Sequence, residues 1–191
     1  MYKKVIKTYK KNFKGVGLPS LLKEMLYIDE FVEEYGIAEG FMLRNENSDE
    51  VHSSMLGISM ERTEILKKFI FLAQADGTGS NYSIFRLNSS TPIEENPVVF
   101  FGSEGEILFA AANFKDWLRV ISTGVEPNAF DTPLEYRINE DDMGDSTDEF
   151  RDWLETKGVK PIINNQKEVD ALVAKADKYI PEIIEILNMC K

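Results

Sequence analysis

Between Phe71 and Gly124, short apolar, aromatic-rich runs alternate with glycine-containing turns, and this pattern limits what the chain can become. Phe69 to Ala75, Tyr82 to Leu87, Val98 to Phe101 and Glu106 to Ala111 each have the length and side-chain type of a strand. The turns Asp76-Gly-Thr-Gly-Ser80 and Gly102-Ser-Glu-Gly105 join the outer pairs, with glycine free to take any positive-φ position. Sequential strands joined in this way form an antiparallel meander. Val98 to Phe101 is apolar at every position, which predicts an inner strand buried on both faces. At Asn113 the period becomes helical: Asn113 is placed to cap, Asp116 sits in the first turn, and Phe114, Trp117, Leu118 and Ile121 share one side. That helix can bury its stripe only against the sheet. Gly124 ends it.

The flanks read as helices. Lys3, Lys4, Lys7, Lys10, Lys11 and Lys14 interleave with Tyr2, Ile6, Tyr9 and Phe13, a basic amphipathic helix whose aromatic side is expected to pack inward, a membrane-surface role being the alternative. Its charge is expected to draw it to the acidic remainder, where 16 basic residues face 33 acidic ones. Ser20 is placed to cap a second helix running through Leu21, Met25, Ile28, Val32 and Tyr35 to Gly36. Phe41 to Leu43 fits a strand, Asn45 to Glu50 a loop, and Ser59 to Lys68 a short helix. Residues 125–147 form an acidic loop, and Ser146 with Glu149 matches a capping box opening a helix with Phe150, Trp153 and Leu154 inward. Val159 to Ile163 fits a short strand. A last helix runs from Gln166 toward Met189, kinked or divided at Pro181. The expectation is one α+β domain over 1–191. Its core is a sheet of about four to six antiparallel or mixed strands at 65–124, with N-terminal helices at 1–36 and C-terminal helices at 147–189.

Composition narrows the partners. A formal net charge of −11 repels nucleic-acid phosphates and favours basic partners, although it equally serves solubility. One cysteine, Cys190, rules out an internal disulfide framework. No run approaches the ~20 apolar residues of a spanning helix, and the first residues lack the apolar core of a signal peptide, so residence in the cytoplasm is expected.

No motif carries reaction chemistry. Asp76-Gly-Thr-Gly79 lacks the third glycine and following helix of a dinucleotide fingerprint and the Gly-Lys-Ser/Thr of a P-loop. Asp76, Thr78 and Ser80 begin a calcium loop without completing it, and placing Gly144 in such a loop puts Met143 and Phe150 at ligand positions. The single histidine, His52, and Cys190 are too few for a His/Cys metal site. Ser53 and Ser54 follow the histidine without a Gly-x-Ser-x-Gly context. Glu104 and Glu106 around Gly105 read as turn residues rather than an acid/base pair. No cofactor or metal is expected.

Three pieces in order, Leu72-Ala-Gln-Ala-Asp76-Gly-Thr-Gly-Ser-Asn-Tyr82-Ser-Ile-Phe85, Pro97-Val-Val-Phe-Phe-Gly-Ser-Glu-Gly-Glu106 and Ala112-Asn-Phe-Lys-Asp-Trp-Leu118, resemble the SUKH superfamily, which includes yeast cell-wall synthesis regulators and bacterial immunity proteins. The likeness covers about 55 residues. It implies an α+β domain that works by binding, often neutralising secreted toxins, with Gly77, Gly79, Gly102, Gly105, Asn113 and Trp117 as scaffold. The N-terminal seventy residues match poorly beyond Leu18-Pro19. From this resemblance and the charge, the expected function is a non-catalytic protein-binding module, an immunity protein whose partner is a basic toxin domain. The alternatives are a regulatory adaptor for an endogenous protein and a small carboxylate-dependent hydrolase. Asp76, Glu104, Glu106, Glu140, Asp141, Asp142 and Asp145 are the candidate contacts.

Overall fold

The computed structural model describes residues 2–32, 36–129, 134–139 and 143–191. Its centre is a four-stranded antiparallel sheet in the order β1-β2-β3-β4, formed by β1 (Phe69–Gln74), β2 (Asn81–Phe85), β3 (Val98–Phe101) and β4 (Ile107–Ala111). The meander expected from the sequence is therefore present, at the lower end of the expected strand number. The inner strands, β2 and β3, are buried at every position, and so is β1. Period-2 alternation explains how one strand serves two cores. Ile70, Ile84, Val98, Tyr82 and Phe100 enter one, while Phe69, Phe85, Val99, Phe101 and Phe109 enter the other.

Helices cover both faces. On the first lie α1 (Tyr2–Asn12), α2 (Ser20–Met25), α3 (Asp29–Val32), α6 (Phe114–Ile121), α7 (Thr147–Thr156) and α8 (Gln166–Ala174); on the second lie α4 (Ser48–Leu56), α5 (Thr63–Leu66) and α9 (Ile180–Cys190). Trp117 of α6 is fully buried and meets Tyr82 edge-on at 5.6 Å and Phe114 at 5.4 Å.

The β1 edge carries a bulge between Phe71 and Ala73, which leaves backbone groups off the ladder. Helices on opposite faces satisfy them: Ser48 Oγ of α4 accepts from Phe71 N at 3.0 Å, and the Tyr9 hydroxyl of α1 donates to the Leu72 carbonyl. Met42 adds a single bridge to Gln74, which is all that forms of the strand expected at 41–43. The chain continues past Gly40, whose positive φ and close approach to the Gly77 backbone leave no room for a side chain.

Several flanking expectations are corrected. Ser20 is not a cap but the first residue of α2; Pro19 precedes it, and the Glu94 carboxylate accepts from Ser20 N at 2.9 Å, supplying the anion that this helix start lacks locally. The helix expected to run from Ser20 to Gly36 breaks after Met25 and resumes as α3 over Asp29–Val32; Tyr35 lies outside the described residues. Residues 48–50 are not loop but the first turn of α4, where Asn47 Oδ1 accepts from Asp49 N and Asn47 Nδ2 donates to Glu50. Only Thr63–Leu66 of the helix expected over 59–68 forms. Ser146 makes no capping bond; the Thr147 hydroxyl instead donates to Ile37 O and Gly144 O. Residues 159–163 form no strand. The last helix divides as anticipated, with Pro181 in the first turn of α9, where its missing N–H costs nothing. The apolar side of α1 is buried through Val5, Tyr9 and Phe13, and its described lysines face solvent. Among the described residues none of those lysines pairs with a carboxylate.

Candidate protein-docking surface

The β1–β2 and β3–β4 turns meet at one end of the sheet. In the first, the buried Asp76 carboxylate accepts from Thr78 N (2.9 Å), Thr78 Oγ1 (2.8 Å) and Ser80 N (3.0 Å), closing an Asx-type turn over Gly77 and Gly79. Gly79 takes φ +101°. The Gly77 amide donates to Glu126 at 3.0 Å. The Thr78 hydroxyl lies 3.0 Å from the Ser103 hydroxyl, and Ser103 N donates to Ser80 Oγ at 3.2 Å, so the two turns brace each other. Asp76 is thus engaged in its own loop rather than presented to solvent.

The second turn holds its carboxylates differently. Gly102 N donates to Glu106 O at 2.8 Å and Gly105 N to Gly102 O at 3.1 Å, with Gly105 at φ +97°. The Glu106 side chain folds back over Gly102, occupying the space a Cβ there would need. Glu104 is exposed and Glu106 half-buried, and neither carboxylate has a hydrogen-bonding or ion-pair partner among the described residues. Asp145 is likewise exposed and unpaired, next to Gly144, which packs on the backbone of Gly36 to Ala38. Glu140, Asp141 and Asp142 lie outside the described residues. The scaffold residues Asn113 and Trp117 belong to α6 and its cap: Asn113 follows the far end of β4, where its Oδ1 accepts from Asp116 N at 2.8 Å and fixes the start of the helix.

His52 has a serine partner that sequence inspection missed. Its Nε2 lies 2.7 Å from Ser83 Oγ, both fully buried, with Phe69 and Phe101 at ring distances of 5.3 Å and 5.4 Å. Burial lowers the imidazole pKa to about 3, against a smaller opposing influence of the Ser48 backbone. Among the described residues Nδ1 has no hydrogen-bond partner, and none of their carboxylates orients the ring as in a catalytic triad. The pair is a neutral polar link between α4 and β2. Cys190 donates to Ile186 O at 3.3 Å, and burial pushes its thiol pKa up, away from a reactive thiolate.

Arg151 was equally unforeseen. Nearly buried, it donates to Ser122 O (2.8 Å) and Thr123 O (3.2 Å) at the end of α6 and to Asp148 at 2.9 Å. A cation there satisfies the last carbonyls and complements the helix dipole. The only sequence hint was an arginine inside an apolar spacing, between Phe150 and Leu154. For α4 the signal was stronger: Asn47 and Glu50 have capping-box spacing.

Two further concavities lie apart from these turns. One, of about 650 Å³, is lined by Leu134, Arg137, Gln166, Asp170 and Asp177 among others, and another, of about 330 Å³, lies where α1 meets α4. Among the described residues no helix is long and apolar enough to cross a membrane, and no group of three or more metal-binding side chains gathers. Comparison with protein-family models, curated proteins and solved structures yielded no match to this chain.

Proposed function

We propose that the chain is a non-catalytic protein-binding module of SUKH type, acting as an immunity protein that neutralises a basic toxin domain. The observation that carries this reading is the pair Glu104 and Glu106, held on a braced hairpin with no ion-pair partner among the described residues. Asp145 adds a further unpaired carboxylate, on a chain of net charge −11. Fixed, uncompensated charge on a rigid turn steers a basic partner and discriminates against acidic ones without entropy lost to ordering a loop. The α+β architecture agrees with the fold that the resemblance implies, and the one histidine is sealed and neutral rather than poised for proton transfer.

The test is capture of the partner from the native cell, identification by mass spectrometry, and stopped-flow association with the purified chain. Glu104→Lys with Glu106→Lys is expected to slow association about tenfold at low salt, the deficit shrinking as salt rises. An association rate unchanged by both reversals removes this face from the interface.

A further inference from the structure

The concavity of about 330 Å³ reverses the sign of the surrounding molecule. Lys11 and Lys14 at the end of α1, Lys67 just after α5, and Arg86 just after β2 all line it, with Phe69 and Ile70 below and Asp49 as the one carboxylate among its lining residues. None of these four cations forms an ion pair among the described residues. The hollow thus gathers four cations against a single carboxylate in a chain where acids outnumber bases 33 to 22.

The hollow is also built. Asn12 Oδ1 accepts from Ser48 N at 3.3 Å and Asn12 Nδ2 donates to Glu46 O at 2.8 Å, fixing the end of α1 to the start of α4. Asn47 Oδ1 takes the Asp49 amide. These backbone donors are therefore engaged in holding the walls, and what the hollow offers a ligand is positive charge. Gathering like charges raises the free energy of the empty fold, and an anion recovers it. An arginine fork and flexible ammonium groups together match a phosphate, the fork contributing paired hydrogen bonds and the lysines point charge.

We propose that this hollow binds a multivalent phosphate group, carried by a small molecule or by a lipid headgroup. The apolar side of α1 is committed to the core through Val5, Tyr9 and Phe13, so contact with a bilayer would be electrostatic and would not insert the helix.

The experiment titrates the full chain calorimetrically with pyrophosphate, and in parallel sediments it with phosphatidylcholine vesicles with and without a bisphosphorylated phosphoinositide. Binding to at least one phosphate probe is expected. It should weaken at least about tenfold in Lys14→Gln/Arg86→Gln and persist in Lys115→Gln, which removes an exposed lysine outside the hollow. Pyrophosphate binding without vesicle binding identifies a free ligand, and phosphoinositide-dependent sedimentation identifies a headgroup. The proposal is overturned if neither probe binds, if the double variant keeps its affinity, or if Lys115→Gln loses as much. Unchanged thermal melting of the variants separates lost binding from lost folding.

Discussion

The two faces of the sheet are both sealed but are held differently. The face under α6 is closed by ring packing, Trp117 against Tyr82, Phe114 and Phe41, and its polar tips are paired only in part: Tyr82 and Tyr136 share a 2.8 Å hydrogen bond, while the Trp117 indole N–H has no partner among the described residues. The face under α4 and α9 carries a buried imidazole–hydroxyl link among phenylalanines. The first relies on shape and area, which degrade with each atom removed. The second relies on a matched polar pair, which fails abruptly when one member is lost.

The largest expected effect lies on the first face. Trp117→Ala removes a fully buried ring and should cost about 3–5 kcal/mol in denaturant unfolding. Trp117→Phe should recover much of that, because it also removes a buried donor that has no acceptor. On the second face, Ser83→Ala should cost about 1–3 kcal/mol by leaving the imidazole unpaired. His52→Phe combined with Ser83→Ala should cost less than the sum of the single changes, and a double-mutant cycle reads the coupling directly. A strictly additive cycle would show that the 2.7 Å contact contributes no pairwise energy.

The same pair separates the faces by pH. The folded His52 pKa lies near 3, below its unfolded value of about 6.5. The unfolded chain therefore binds the extra proton first as pH falls. The neutral ring's full contribution is present above about pH 6.5 and is lost toward pH 3, with a slope approaching 1.4 kcal/mol per pH unit. His52→Gln should flatten that part of the stability profile relative to the parent, while Trp117→Phe should shift the profile without changing its slope. The smallest effects are the caps: Asn113→Ala on α6 and Asn47→Ala on α4 should each cost about 1 kcal/mol by thermal melting.

Those two asparagines also show what was legible in the sequence. Asn113 precedes an apolar stripe of clean helical period, so cap and helix were both visible. Asn47 precedes Ser48-Asp-Glu-Val-His-Ser-Ser, where the inward residues are the serine and histidine that bond to β1 and β2, and no apolar stripe marks the face. The sheet was readable because its register follows local turns. The breaks after Met25, the irregular path at 159–163 and the buried Arg151 depend on neighbours distant in sequence, and local pattern does not encode them. The candidate surface was legible as composition and turn chemistry. What sequence could not separate was Asp76, closing its own loop, from Glu104, which is exposed, and Glu106, which folds back over Gly102.

The bulge at Leu72 has a consequence for how the molecule is assembled. Its backbone is satisfied by Tyr9, 63 positions upstream, and by Ser48. Until both helices dock, β1 presents an incomplete margin that any extended chain can extend. Removing the first helix should therefore leave the Leu72 carbonyl without its partner and raise aggregation during refolding, read by light scattering against the full chain.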